Sequence, residues 1–191
     1  MRVFDNITIK NNSIFNNSWI EWDHMNIPND PIWFRDLIRM LMALLNHCLV
    51  CTALDGCYFF KNNMPKMPQH SRCDCRTKYI TKQTLKNNIE AHCPIEKFTN
   101  YIFTDIQKSK GKITIFESLG FNINDSSDLK KEFEKQAELK YLSNQYELGL
   151  LDYHGQRIKI EINLKNISFI SGWMIKPNGK LINTTPFGGW I

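Results

Sequence analysis

Among its 191 residues the chain has no uninterrupted apolar run long enough to cross a bilayer. The most apolar stretch, residues 32–45, is broken by Arg35, Asp36 and Arg39, and a spanning helix needs ~20 apolar residues. The first residues, "MRVFDNITIKNNSIFNNSWI", lack the apolar centre and small-residue cleavage site of a secretory signal. These absences predict a cytoplasmic protein with no membrane partner. Missing too are a Walker loop, HExxH, GxSxG and GxGxxG, so the common signatures of nucleotide, zinc-peptidase, serine-hydrolase and dinucleotide chemistry have no carrier. There is no internal repeat and no low-complexity segment.

What remains is ordinary for a folded chain. Apolar residues make up 42% and aromatics 12%, enough to bury a core. The formal net charge of +5 permits a nucleic-acid partner without demanding one.

Five of the six cysteines fall in "CLVCTALDGCYFFKNNMPKMPQHSRCDC". Cys48 and Cys51 are two residues apart, as are His70 and Cys73, and Cys75 follows. Two such pairs across a loop of ~15–20 residues suit a tetrahedral zinc site. The predicted ligands are Cys48, Cys51, Cys73 and either His70 or Cys75. Reduced thiols without metal are the competing reading, and a disulfide is disfavoured in a reducing compartment. Cys57 and Cys93 have no place in the set.

Before this segment, "NDPIWFRDLIRMLMALLNHC" carries helix signals: Asp30 as a cap, Pro31 at the first helical position, then about four apolar turns. After it, "KQTLKNNIEAHCPIEKF" reads as helix broken near Pro94. "ESLGF" ends a short helix with Gly120 as its cap. "DSSDLKKEFEKQAELKYLSN" places Leu129, Phe133, Ala137 and Tyr141 at i+4 spacing. From Tyr146 the period becomes two, with turns at "HGQ" and "PNG". The expected fold is α+β: residues 1–80 form an N-terminal region with a helix and a Cys/His knuckle. Residues 94–191 form helices packed on a four-stranded antiparallel sheet.

Two resemblances follow. "CLVCTALDG" with "MPKMPQHSRCDC" resembles the Cys/His motif of phage Mu F-like minor head proteins, matched at Cys48, Cys51, Asp55, Gly56, Pro68, His70, Cys73 and Cys75. "SKGKITIFESLGF", "YELGLLDYHGQRIKIEI" and "SGWMIKPNGKLINTTPFGG" resemble an uncharacterised domain of phage-derived and polymorphic-toxin-like bacterial proteins. That layout is similar to the barnase–colicin–RelE-like ribonucleases. The resemblance implies an effector acting on RNA without a catalytic metal, held in check by a cognate immunity protein. The alternatives are a non-catalytic phage-related binding or assembly module, or an immunity-type protein-binding domain.

A ribonuclease of this kind needs a base for the 2′-hydroxyl, an acid for the leaving oxygen and cations for the phosphate. His154 is the candidate base and Arg157 the candidate phosphate clamp, with Thr185 at the end of the last strand. Lys110 and Lys112 flank a helix start. A bland alternative stands beside this: His154 as an exposed turn residue and Arg157 as a surface charge. Trp173 reads as core.

Overall fold

The computed structural model describes residues 19–23, 49–67, 69, 75–165 and 167–190. The apolar segment at 32–45 lies outside them.

A small three-stranded antiparallel sheet has β1 (Trp19–Asp23) at its centre, flanked by β2 (Tyr58–Phe60) and β3 (Arg76–Ile80). Trp19, Ile20 and Trp22 of β1 are buried, while β3 is exposed along nearly its whole length. Helix α1 (Leu49–Leu54) lies between β1 and β2 in the chain and buries Cys51 and Leu54.

Helix α2 (Lys82–Asn88) is capped by Thr81, whose hydroxyl accepts the Thr84 N–H. The helix expected to run on toward Pro94 stops here. Glu90–His92 is instead a strand, β4, pairing parallel with the last strand of the larger sheet. Tertiary pairing overrides a weak local helix preference in "NNIEAH". A π-helical segment (Phe98–Ile102) and two short helices follow, α3 (Ile106–Ser109) and α4 (Lys112–Ser118). Gly120 ends α4 as the sequence predicts. It takes φ +75°, with Gly120 N–H bonded to Glu117 O and Phe121 N–H to Phe116 O, the paired bonds of a Schellman ending.

Helix α5 (Ser126–Leu142) buries Leu129, Phe133, Ala137 and Tyr141, the i+4 stripe read from the sequence. The meander β5 (Glu147–Asp152), β6 (Gly155–Leu164), β7 (Ile167–Ile175) and β8 (Lys180–Trp190) is antiparallel throughout. The class is α+β as expected. The sheet has five strands rather than four, in the order β4-β8-β7-β6-β5, because β4 joins it in parallel.

Side chains of α5 secure the sheet at two places. Glu138 accepts the Ala91 N–H (3.0 Å) and Glu134 the Cys93 N–H (2.9 Å) on β4 and just past it. Near the other margin, where β5 no longer covers β6, Gln136 bonds both the carbonyl and the amide of Asn163 (2.7 and 2.9 Å). Main-chain groups that would otherwise template another strand are thereby occupied. Cys93 is buried beside Glu134. Burial first, then the Glu134 charge, pushes its thiol up to about 12, so it stays protonated and unreactive.

The core is aromatic. Phe133 meets Phe98 at 5.3 Å and Phe169 at 6.0 Å, and Phe116 meets Phe169 at 6.1 Å. Trp173 is fully buried, as read from the sequence. One cluster of buried side chains runs from Trp19 to Phe187, so the core is continuous across the expected boundary between 80 and 94. Tyr141 carries the seam: its ring lies 5.1 Å from Trp19 and its hydroxyl donates to the Tyr58 carbonyl. Beside it, Tyr146 donates to Asn63 O (2.9 Å), and Asn178 N–H reaches Gly56 O (2.9 Å).

Candidate functional site at the β5–β6 turn

The turn between β5 and β6 consists of Tyr153 and His154, closed by the pair Asp152 and Gly155. Gly155 takes φ +131°, and a Cβ there would stand 3.2 Å from the Ile175 carbonyl, so both conformation and space call for glycine. Asp152 organises the turn. One carboxylate oxygen accepts the His154 N–H (2.8 Å) and the other accepts Arg157 Nη (3.2 Å). These contacts, the His154 amide foremost, hold its pKa below the ordinary range, so it is ionised at neutral pH. From the neighbouring hairpin, Lys176 Nζ donates to the His154 carbonyl at 2.6 Å.

The structure therefore brings two predicted residues, His154 and Arg157, to one sheet end and adds two others. Lys176 is a second cation. Tyr153 is 62% exposed and lies 3.9 Å from the His154 ring, centroid to centroid. Tyr153 is the chain neighbour of His154, but Lys176 was hidden in sequence, since it meets the turn only through the β6–β7 register, in which Gln156 faces Ile175. The only signal was its position just before "PNG". Arg157 uses one arm on Asp152 and Lys176 one of three N–H bonds, leaving donors for an anion. The turn carries an exposed aromatic ring and is bonded by two cations, a combination suited to a single-stranded nucleic acid.

Thr185 is elsewhere. Arg157 faces Met174, which faces Ile182, whereas Thr185 faces Gly172. Two strand spacings and three residues along β8 put the Arg157 and Thr185 Cα atoms on the order of 14 Å apart. Its hydroxyl donates to Phe187 O (3.0 Å) and accepts from Lys112 Nζ (3.3 Å). Lys112 and Thr185, named separately in the sequence, thus meet each other and not His154. Ser171 and Asn183 lie buried close by, with Asn183 Nδ2 donating to Ser171 Oγ at 3.0 Å.

In comparisons with protein-family models, curated proteins and solved structures, nothing matches this chain.

Of the predicted zinc ligands, Cys48, His70 and Cys73 lie outside the described residues. Cys51 is fully buried on α1, and Cys75 sits partly buried immediately before β3. Cys51 belongs to a helix rather than to a loop. Among the described residues no three His, Cys, Asp or Glu side chains converge on a point. The zinc expectation is tested directly by elemental analysis of protein purified under reducing conditions. About one zinc per chain is expected, lost in Cys51→Ser, as for a closed four-ligand site. Protein that contains no zinc after such a purification contradicts it.

Proposed function

We propose that the chain is a phage- or mobile-element-related effector that acts on RNA, with the β5–β6 turn as its working end. The observation that supports this is the grouping at Asp152, where one carboxylate fixes the His154 main chain and Arg157 while Lys176 anchors to the same turn. Tyr153 offers its ring to a base. His154 takes the proton of a ribose 2′-hydroxyl. That oxygen attacks the adjacent phosphorus, a 2′,3′-cyclic phosphate forms, and the 5′-oxygen departs with a proton from solvent. Arg157 and Lys176 offset the negative charge that builds on the phosphoryl oxygens. The catalytic groups are all side chains, so EDTA leaves the activity unchanged. A cognate immunity protein would act by covering this exposed turn.

A second reading, a binding module without cleavage, draws support from the same openness, because His154 is exposed among the described residues. The two are separated by incubating the protein with tRNA, mRNA and rRNA in EDTA and by expressing it alone in a bacterial host. Cleavage with growth arrest supports the ribonuclease. RNA binding with intact substrate and normal growth supports the binding module. No binding and no cleavage overturns both.

A further inference from the structure

Strand β8 carries a bulge. Gly172 faces Thr185 while Trp173 faces Asn183, so Thr184 is an extra residue in the ladder. Bulges free main-chain groups and re-aim side chains, and they are enriched beside sites. Lys97 Nζ donates to the Thr184 carbonyl at 2.9 Å, and Lys112 Nζ donates to the Thr185 hydroxyl at 3.3 Å. Two ammonium groups from different parts of the helical layer thus end on adjacent residues. Gly172 is needed for this, since a Cβ there would stand 2.9 Å from both Thr184 Oγ1 and Thr185 Cγ2.

Neither lysine pairs with a carboxylate among the described residues. Lys112 lies over the Tyr101 ring, 4.9 Å from its centroid, which fixes its direction without neutralising its charge. Each ammonium has three donors and uses one on β8, so four N–H bonds remain between them. Two like charges anchored on adjacent residues repel, and an anion between them offsets that repulsion. A tetrahedral anion with several acceptor oxygens suits this better than a flat carboxylate.

We propose that Lys97 and Lys112, set by the β8 bulge, form a phosphate-binding site separate from the β5–β6 turn. The ligand class is a phosphate group, supplied either by a small phosphate anion or by a nucleic-acid phosphodiester. The proposal stands without any role for His154, because binding is read with ligands that no ribonuclease cleaves.

The test is titration of the full chain with pyrophosphate and, separately, with a deoxydinucleotide carrying one internal phosphodiester. Calorimetry and the Lys side-chain NMR signals report binding. Saturable binding of either ligand is expected, weakened about tenfold, or ~1.4 kcal/mol, in each of Lys97→Gln and Lys112→Gln. Glutamine keeps an N–H for the bulge while removing the charge, and an unchanged melting temperature confirms that the fold is intact. Saturation by pyrophosphate alone identifies a small-anion site. Saturation by the dinucleotide identifies a site for a nucleic-acid strand. Failure of both to saturate at ~10 mM, a concentration well above a millimolar dissociation constant, overturns the proposal. So does equal binding by the wild type and the double variant Lys97→Gln/Lys112→Gln.

Discussion

His154→Ala is expected to cut RNA cleavage by ~10²–10⁴-fold while leaving the melting temperature unchanged. That range is what a positioned general base contributes. The fold survives because the ring lies on the surface against Tyr153, and the turn is held by the main-chain amide and carbonyl of residue 154, which alanine retains. Arg157→Ala is expected to lower cleavage as well. Arg157→Lys should restore only part, since an ammonium cannot hold Asp152 and a phosphate oxygen together as a planar fork does. Cleavage that persists in His154→Ala would place the base elsewhere and remove the turn from the chemistry.

The largest stability effect is expected at Tyr141. Truncation to alanine removes a fully buried ring that lies 5.1 Å from Trp19 and 5.0 Å from Tyr146. It also leaves the Tyr58 carbonyl without the hydroxyl that donates to it. A loss of ~3–5 kcal/mol is expected, in the range of large aromatic truncations. Burial raises the Tyr141 pKa well above its ordinary value, so the hydroxyl remains a donor across the physiological range. Because one core spans both sheets, urea transitions followed by tryptophan fluorescence and by far-UV circular dichroism should coincide in the wild type and shift together in the variant. Two separated transitions, with only one moved by Tyr141→Ala, would show that the N-terminal sheet and the larger sheet fold independently.

Much of the fold was legible because it rests on local periodicity. The i+4 stripe of α5 and the alternation of Ile158, Ile160, Ile162 and Leu164 each fix which face is buried, and the structure buries those residues. The glycine at 120 gave the end of α4 through its backbone requirement alone. β4 was not legible, since three residues of mixed propensity become a strand only when β8 lies alongside and Glu138 and Glu134 take the amides of Ala91 and of Cys93 just beyond it. The continuous core was hidden for a similar reason: Tyr141 reads as one more residue on a helical stripe, and its partners Trp19 and Tyr58 lie more than eighty residues away.

The candidate site shows the same division. His154 and Arg157 were found because they flank a glycine turn and lie three residues apart. Lys176 and the bulge at Thr184 depend on strand register, which sequence spacing does not encode. Thr185 was named for its place near the end of a strand, but register sets it beside Lys112 and away from the turn.

The central claim, that the β5–β6 turn meets RNA, is tested most directly by mapping backbone amide shifts while a short single-stranded RNA is added in EDTA. A non-cleavable 2′-O-methyl strand keeps the complex intact. The account predicts the largest changes at Tyr153, His154, Arg157 and Lys176, weakening steeply as salt is raised, as expected for phosphate contacts. Saturating RNA that leaves these four amides unmoved would contradict it.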